Sequence, residues 1–494
     1  MDLLNCGFEN WRTVLVAFVV LIIYYIFTRR EQDVPPGPIR WPVVGNLGSM
    51  IGRDTLNILA DLRSKYGDIY GVYIGSELTI FLNGYEVIHE ALVKHGTVFS
   101  KRPKLQQRGK QPHAIIFGNG ASWKEHRKFI LHTFHHLCFR KTGQTLEGRI
   151  TEELTYFTEK LISFNNKDVD ISHIVTLSFA NVLYNILHGQ RIGYDNAKFK
   201  WYLEKIDEAF KDHAITQVLN ACFPFLRYLP GDLLREEFKD KAIEEFAKYY
   251  DEICRVNYAK YKPDDKDCFI DFWIAAKENN DIFQKENLWV VLNDLMAAGS
   301  ETTATTLKWV ILALVKYPNI QSKLQRKVDE VINKDKTPSV SDKVNLPYVE
   351  ATILEALRFG SVVPLSVPHA VLHDTMFKGY KIPGHATILP NISSVHFDPD
   401  IFPEPNVFKP ERFLNETETS ITGNEKLIPF SLGPRSCLGE TLAHMELFLY
   451  VTTLVQKLEF RAPDDGELPS LKGVFGLTRR PLDFRVNIRM RSKM

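Results

Sequence analysis

The sequence predicts a mainly α-helical fold of the α+β class, in which a large helical domain carries a minor β-sheet lobe. Apolar residues recur at helical spacing over three long stretches: 150–188, 240–258 and much of the chain after 286. Runs rich in β-branched and aromatic residues predict short strands at four places: 69–74, 78–82, 377–389 and 481–488. Neither a long linker nor an internal repeat divides the 494 residues, so we expect one large core with a subordinate lobe.

Residues 1–30 are predicted to form an N-terminal transmembrane signal anchor. An unbroken apolar run over 14–27 is slightly shorter than the roughly 20 residues that span a bilayer, and aromatic residues at its ends extend it. Acidic residues precede the run, whereas Arg29 and Arg30 follow it without a small-residue cleavage site, so an uncleaved anchor is favoured over a signal peptide or a buried helix. The two arginines indicate that the chain beyond them faces the cytosol.

A proline-rich hinge is predicted over residues 31–48, before a catalytic domain at 49–494. The run Pro35-Pro36-Gly37-Pro38 cannot be helical and tends to be stiff and extended, so it would hold the domain at a set angle to the membrane unless it is a passive spacer. A second unusual connection, 223–231, is strongly apolar. It is expected either to touch lipid beside the anchor or to be a buried loop.

Charge and cysteine usage exclude some classes of function. The 61 basic and 60 acidic residues nearly cancel, which gives no argument for nucleic-acid binding. The six cysteines are widely scattered and form no C-x-x-C pair, so reduced thiols are expected rather than disulfides: Cys6, Cys138, Cys222, Cys254, Cys268 and Cys437.

The strongest chemical signal is the frame F-x-x-G-x-R-x-C-x-G that surrounds Cys437. An ionised cysteine binds metal, and a helix that starts just after it would point backbone N–H groups at the sulfur. Gly433 and Gly439 would let the backbone turn and approach a porphyrin, while Arg435 would bind a propionate and Phe430 would shield the sulfur. Five matched positions disfavour an ordinary buried cysteine, so Cys437 is predicted to be the iron ligand of a heme.

This segment resembles the heme-binding signature of the cytochrome P-450 superfamily, in which the cysteine is the proximal iron ligand. The resemblance implies heme b (iron protoporphyrin IX) buried within the cytochrome P-450 fold. It covers the whole chain, because the other motifs follow in the family's order. Three phrases resemble the microsomal, drug- and fatty-acid-metabolising type (family two): Tyr66-Gly67-Asp68-Ile69, Phe99-Ser100-Lys101-Arg102-Pro103 and Val367-Pro368-His369-Ala370-Val371.

A predicted central helix contains a second chemical motif, Ala-Gly-Ser-Glu-Thr-Thr, at residues 298–303. A mid-helix glycine costs about 1 kcal/mol relative to alanine, and threonine also disfavours a helix interior, which suggests a functional site. The motif resembles the family's oxygen-activation turn. Gly299 would admit dioxygen and a water, Thr302 would hydrogen-bond the oxygen, and Glu301 would bring protons from solvent. The alternative is a helix with a surface glutamate and buried threonines.

Further residues are predicted to anchor the heme. Trp123 and Arg127 lie on one face of a helix, and both are expected to meet a propionate. His369 is expected to bind the other propionate unless it is exposed to solvent. His126 departs from the family pattern, in which glutamine or arginine is more common. Nearby basic residues would dock an acidic redox partner or form a solvated face: Lys124, Lys128, Arg140 and Lys141.

The resemblance also implies a buried ion triad behind the heme. Glu355 and Arg358 form an E-x-x-R pair on one helix face, and Arg412 belongs to a downstream P-E-R-F segment. One carboxylate between two guanidiniums would have a structural role rather than a catalytic one.

The implied reaction inserts one atom of dioxygen into an apolar substrate and reduces the other atom to water. Electrons would come from NADPH through a separate flavoprotein reductase, with cytochrome b5 as a further candidate partner, at the endoplasmic reticulum membrane. Two alternatives stay open: a heme-thiolate isomerase or dehydratase acting on peroxides, and a non-catalytic heme sensor or electron carrier. The acid–threonine pair favours monooxygenation. Six apolar residues are expected to line the substrate pocket: Ile115, Ile116, Ala297, Val362, Val363 and Phe475.

Overall fold

The computed structural model describes residues 13–19, 31–49, 54–103, 115–139, 144–277, 281–464, 466 and 468–491. The chain divides into two compact units. The sheet unit comprises Met1–Gln106, His213–Glu236 and Pro368–Asn391. The helical unit comprises Gln107–Asp212, Glu237–Val367 and Ile392–Met494.

The α-helices are α1 Thr55–Tyr66, α2 Tyr85–His89, α3 Gly120–Cys138, α4 Leu146–Ile162, α5 Ser172–His188, α6 Ala197–Cys222, α7 Glu236–Lys260, α8 Phe269–Lys277, α9 Lys285–Lys316, α10 Pro318–Val331, α11 Pro347–Gly360, α12 Ser393–His396 and α13 Glu440–Lys457. The strands are β1 Ile69–Ile74, β2 Glu77–Leu82, β3 Lys167–Val169, β4 Thr375–Phe377, β5 Tyr380–Ile382, β6 Thr387–Pro390, β7 Leu458–Arg461, β8 Gly473–Phe475, β9 Arg479–Pro481 and β10 Val486–Met490. The predicted mainly helical fold with minor sheets is therefore confirmed.

The sheet unit contains the predicted hairpin. β1 and β2 pair antiparallel, with Ile74 opposite Glu77, and β2 continues parallel to β6. Gly75 turns between them at φ 60°, and an added Cβ there would lie 2.1 Å from the carbonyl oxygen of Ala221. Only glycine fits this position, because both the backbone angle and the close approach exclude a side chain. β4 and β5 form a second, two-stranded sheet in the same unit.

The N-terminal predictions fall mostly outside the described residues, which omit 1–12 and 20–30. The segment 13–19 is helical. Within the part of the chain that the structure describes, no helix combines the length and the apolar character needed to cross a bilayer. The predicted single-pass anchor therefore stays a prediction. The hinge that follows is tied to the sheet unit, because the Pro36 carbonyl accepts a hydrogen bond from the Gly71 N–H at 2.8 Å.

The helical unit is built around α9, which has 32 residues and packs against α5, α11 and α13. Residues 303–315 of this helix are buried without interruption. A helix that is hydrophobic all round belongs in a core. α10 shows the opposite pattern, since Ile320, Leu324 and Val328 are buried while most of its other residues face solvent. Small sheets of β3, β10 and β7 and of β8 and β9 complete this unit.

Candidate active site

The segment around Cys437 folds into a tight turn that leads into α13. The Cys437 N–H donates to the Phe430 carbonyl at 2.9 Å, and the Ser436 N–H donates to the Gly433 carbonyl at 3.0 Å. Gly433 has φ 74°, where glycine is favoured, whereas Gly439 has an ordinary φ of −93°. An added Cβ at Gly439 would make only ordinary contact with the Cys437 sulfur, at 3.9 Å. Backbone geometry alone therefore requires glycine at Gly433 and not at Gly439.

The start of α13 brings backbone N–H groups close to the sulfur, as the sequence predicts. Burial and the charge of Glu440 raise the pKa of the Cys437 thiol, whereas the N–H groups of Gly439 and Glu440 and the charge of Arg127 lower it. Burial outweighs these effects and leaves the pKa raised. Cys437 nevertheless keeps an exposed side chain, which indicates that it lines an internal recess rather than the outer surface. A sulfur with fixed donors at such a recess suits a metal-bound thiolate.

Arg435 is held against the predicted heme-anchoring helix α3. Its guanidinium carbon lies 3.5 Å from the ring centroid of Trp123, and its Nη2 donates to the Gly118 carbonyl at 2.6 Å. Burial, reinforced by the positive charge of Arg127, lowers the pKa of Arg435 to about 10. Trp123 thus supports the guanidinium through its ring face, and its predicted N–H contact with a propionate stays a prediction.

Arg127 completes a pair of cations beside the sulfur. Its guanidinium donates to the Ser436 hydroxyl at 3.3 Å. Burial lowers the pKa of Arg127, while a charge on Cys437 raises it. Two partly desolvated guanidiniums that repel each other favour a bound anion, and their contact with propionates stays a prediction. The structure therefore brings together Trp123, Arg127, Arg435 and Cys437, which lie up to 314 positions apart in the sequence.

His369 lies in the other unit and is not exposed to solvent. Its Nδ1 lies 2.7 Å from the Phe99 carbonyl oxygen, and the residue is 1% exposed. The solvent-exposed alternative for this histidine is wrong. Its contact with a propionate stays a prediction.

The predicted oxygen-activation turn, residues 298–303, lies in the middle of α9. The Thr302 hydroxyl donates to the Ala298 carbonyl at 2.8 Å, one helical turn earlier. The Glu301 carboxylate accepts a hydrogen bond from the Thr305 hydroxyl at 2.9 Å. Ala298 is exposed and Thr302 is half-buried, although the helix is otherwise embedded in the core. This turn therefore has an accessible face, and the alternative of a purely buried threonine does not describe Thr302.

Gly299 has a packing role that the sequence does not reveal. An added Cβ would lie 2.8 Å from Cδ2 of Leu183 on α5, closer than real Cβ contacts allow. The glycine therefore lets α5 approach α9 closely. The predicted role of Gly299 in admitting dioxygen and water stays a prediction, separate from this packing role.

The predicted ion triad forms as expected. Arg358 makes two hydrogen bonds of 2.8 Å to the Glu355 carboxylate, and Arg412 lies 3.0 Å from it. Glu355 and Arg358 are fully buried. The Lys409 N–H donates to the same carboxylate at 2.8 Å, and both arginines donate to the Val407 carbonyl. The triad therefore fastens α11 to the segment that precedes the cysteine turn.

Asp294 is a site residue that sequence reasoning missed. Its carboxylate accepts the backbone N–H groups of Ile115 and Ile116 at 2.9 and 3.1 Å, and burial raises its pKa to about 6. It lies one turn before Ala298 on the accessible side of α9. Two predicted pocket residues are thereby tied to the helix that carries Thr302. The sequence offered one signal for this role, because Asp294 is an acidic residue among the apolar residues of the first half of the central helix.

His126, the departure from the family pattern, occupies an aromatic pocket. It is buried, and its ring stacks on Trp273 at 5.5 Å and meets Phe283 edge-on at 5.8 Å.

The neighbouring Lys124 and Lys128 are exposed on α3, whereas Arg140 and Lys141 of the predicted basic cluster lie outside the described residues. Of the other predicted pocket residues, Ala297 and Val362 are buried and Val363 and Phe475 are half-buried.

Comparisons with known proteins identify the family to which these features correspond. The family model described as Cytochrome P450 matches residues 35–488. The chain is similar to Cytochrome P450 2U1 of Bos taurus, with 34% identity over 516 residues that cover 97% of this chain and 93% of that protein. It is also similar to Cytochrome P450 2C23 of Rattus norvegicus, with 34% identity over 498 residues that cover 97% and 98% of the two chains. Cytochrome P450 2D4 of Rattus norvegicus is 32% identical over 97% of this chain and 98% of its own length.

Proposed function

The chain belongs to the cytochrome P450 family, with heme as its cofactor, and we propose that it oxygenates small apolar substrates with NADPH electrons delivered by a flavoprotein reductase. As a member of this family it is a heme-thiolate monooxygenase, an oxidoreductase that incorporates molecular oxygen. The observation that carries the proposal is the sulfur of Cys437, which lies beside the N-terminus of α13 and the charge of Arg127, with Arg435 two positions earlier in the chain.

The residues at the cysteine turn fit heme. Cys437 would hold the iron, while Arg127 and Arg435 would bind propionates and Trp123 would support Arg435. When bound through a thiolate, heme supplies the iron that activates dioxygen, and the thiolate favours cleavage of the O–O bond. The N–H groups of Gly439 and Glu440 favour the ionised sulfur, the form that binds iron, over the neutral thiol.

Proton delivery is assigned to Glu301 and Thr302. The Thr302 hydrogen is already donated to the Ala298 carbonyl, so the hydroxyl oxygen can accept a hydrogen bond from water on its accessible side and must rotate to donate. Glu301 is half-buried at the preceding position of the helix, where its carboxylate would pass protons from solvent. Retention of this pair favours monooxygenation over peroxide rearrangement and over a passive heme carrier.

Electron delivery is assigned to the exposed face of α3. Lys124 and Lys128 lie on this face, while Trp123 and Arg127 of the same helix contact the cysteine turn. An acidic surface on the reductase, with cytochrome b5 as a second donor, would be attracted to these cations, most strongly at low ionic strength.

Residence at the endoplasmic reticulum membrane is supported by the surface of the sheet unit. The Cys222 thiol contacts the Val44 carbonyl, and the Ala221 carbonyl accepts a hydrogen bond from the Ser76 N–H at 3.5 Å. The segment that begins at residue 221 therefore lies beside the segment that ends at residue 44. Both segments expose large apolar side chains: Ile39, Trp41, Val43, Phe225, Tyr228, Leu229 and Leu233. Clustered exposed apolar residues mark interaction surfaces, so lipid contact is proposed for the predicted 223–231 segment beside the N-terminal anchor.

Two measurements test this function. The reduced protein with carbon monoxide should show the Soret band of a thiolate-bound heme, and Cys437→His should lose that band while retaining heme. NADPH consumption should then require added reductase and should yield oxygenated products from a panel of fatty acids, steroids and aromatic drugs. Rearrangement of peroxides without reductase would support the isomerase alternative. A heme-loaded protein that neither oxygenates substrates nor rearranges peroxides would support the sensor alternative.

A further inference from the structure

The outward face of α3 carries a histidine pair that the proposed oxygenation does not use. The inner face of this helix is fixed in the core through buried residues: Trp123, His126, Ile130, Thr133 and Leu137. Lys128, His132 and His136 are exposed at three successive turns on the opposite side. The two imidazoles therefore project from a backbone that packing holds rigid, which lowers the cost of organising a binding site.

The two rings of this pair are already in contact. The ring centroids of His132 and His136 lie 4.5 Å apart, with planes at 67°. Histidines at i and i+4 on a helix share one face, and this is the spacing with which helical zinc sites present two ligands. A metal at about 2.0–2.1 Å from each nitrogen could be reached by side-chain torsions alone, without a change in the helix.

The surroundings define this pair as the ligand set. His135 is also exposed, but its ring lies 4.9 Å from Phe139 and beside no second histidine of the described chain, whereas the His136 ring contacts His132 at 4.5 Å as well as Phe272 at 5.9 Å. Among the described residues no group of three or more histidine, cysteine or acidic side chains is placed to hold a metal. The coordination would therefore consist of two imidazoles and water. His136 lies in the last turn of α3, where the partial negative charge of the helix terminus favours a cation.

We propose that His132 and His136 form a surface site for a borderline transition-metal ion such as Zn²⁺, Ni²⁺ or Cu²⁺. Imidazole nitrogen suits these metals, whereas Mg²⁺ and Ca²⁺ require oxygen ligands. With only two protein ligands the site binds less tightly than a four-ligand structural zinc site, and Cu²⁺ binds more tightly than Ni²⁺ or Zn²⁺. Protons compete with the metal for the ring nitrogens, so binding weakens as the pH falls.

The test is calorimetric titration of ZnCl₂ into the untagged, heme-loaded full chain near neutral pH. The wild-type protein should bind one Zn²⁺, and His132→Asn and His136→Asn should each weaken binding by at least about tenfold. His135→Asn should bind as the wild type does. The double variant Lys128→His/His136→Asn should restore binding, since it again places two imidazoles four residues apart on the same face.

The outcomes separate this site from general histidine binding. Restored binding in the double variant, with an unchanged heme spectrum, would establish the i, i+4 pair as the ligand set. Absence of Zn²⁺ binding in the wild type, equal loss in His135→Asn, or failure of both single variants to weaken binding would overturn the proposal. Retention on an immobilised Ni²⁺ column should follow the same order among the variants.

Discussion

At the scale of single residues, Thr302 is placed to serve two partners in turn. Its hydroxyl donates to the Ala298 carbonyl in the structure, which satisfies the hydrogen and leaves the oxygen facing the accessible side of α9. Proton transfer to oxygen requires that this hydrogen bond be exchanged. The exchange is inexpensive because a Ser or Thr bond to the previous turn contributes little to helix stability.

We predict that Thr302→Ala binds heme but diverts reduced oxygen to peroxide. Alanine removes the hydroxyl without opening a large cavity, so folding should be preserved. Hydrogen peroxide released per NADPH consumed should rise severalfold, and product per NADPH should fall by a similar factor. Thr302→Ser keeps the hydroxyl and is the matched control. Undiminished coupling in Thr302→Ala would refute the role assigned to this residue.

Asp294 is predicted to hold part of the substrate pocket in place. Asp294→Ala removes the carboxylate that accepts from the half-buried N–H groups of Ile115 and Ile116, which should cost about 1 kcal/mol of stability. It should also broaden the distribution of oxidation sites on a given substrate, measured as product ratios. Asp294→Asn retains an acceptor oxygen and should lie close to the wild type. Equal behaviour of the Ala and Asn variants would contradict the anchoring role.

At the scale of secondary-structure elements, the contact between α5 and α9 decides how the central helix is placed. Gly299 on α9 faces Leu183 of α5, and a methyl group there would lie 2.8 Å from Cδ2 of the leucine, so the leucine side chain would have to shift. α5 is buried along most of its length, so it cannot easily move away. The glycine that weakens the helix locally is therefore what allows two long helices to pack closely.

Gly299→Ala is predicted to destabilise the protein despite its better helix propensity. Alanine gains about 1 kcal/mol of propensity, whereas overpacking against Leu183 costs about 1–3 kcal/mol, so a small net loss is expected. Chemical unfolding should measure it. Leu183→Ala should offset the clash, which would appear as a favourable coupling energy in a double-mutant cycle. If the two substitutions change the free energy of unfolding additively, the contact between Gly299 and Leu183 does not cause the loss of stability.

At the scale of the whole molecule, buried histidines make the fold sensitive to acid. Burial lowers the pKa of His188 to about 3, and burial together with the Arg358 charge lowers the pKa of His396 to about 3. An unfolded histidine titrates near 6.5. Between pH 3 and pH 6.5 these histidines are protonated in the unfolded chain but neutral in the folded chain. The free energy of unfolding therefore falls as the pH falls, by up to about 1.4 kcal/mol per pH unit for each histidine.

We predict that His188→Phe flattens this acid sensitivity. Both ring nitrogens of His188 are buried without a hydrogen-bond partner among the described residues, and its neighbours include the Tyr184 ring at 4.3 Å. Phenylalanine should therefore be tolerated at neutral pH and should improve stability increasingly as pH falls from 6.5 towards 4. Urea unfolding at several pH values measures the slope. The exposed His173→Phe serves as a control, and an unchanged slope in His188→Phe would contradict the prediction.

Features that depend on residues close together in the chain could be predicted from the sequence. The cysteine turn with its helix N-terminus, the hairpin at Gly75 and the Glu355–Arg358 pair are encoded by short spacings, because turn, helix and strand geometry fix which nearby residues meet. The whole-chain order of these motifs was sufficient to indicate the family that the comparisons confirm.

Contacts between distant segments became visible only in the folded chain. Asp294 meets Ile115 across 179 positions, and Gly299 accommodates Leu183 of another helix. The stacking of Arg435 on Trp123 likewise brings two separate motifs together. Periodicity shows which face of a helix is buried but not which side chains of another element lie against it. Close packing of the folded chain supplies that information, and it gives Gly299 and Asp294 their roles.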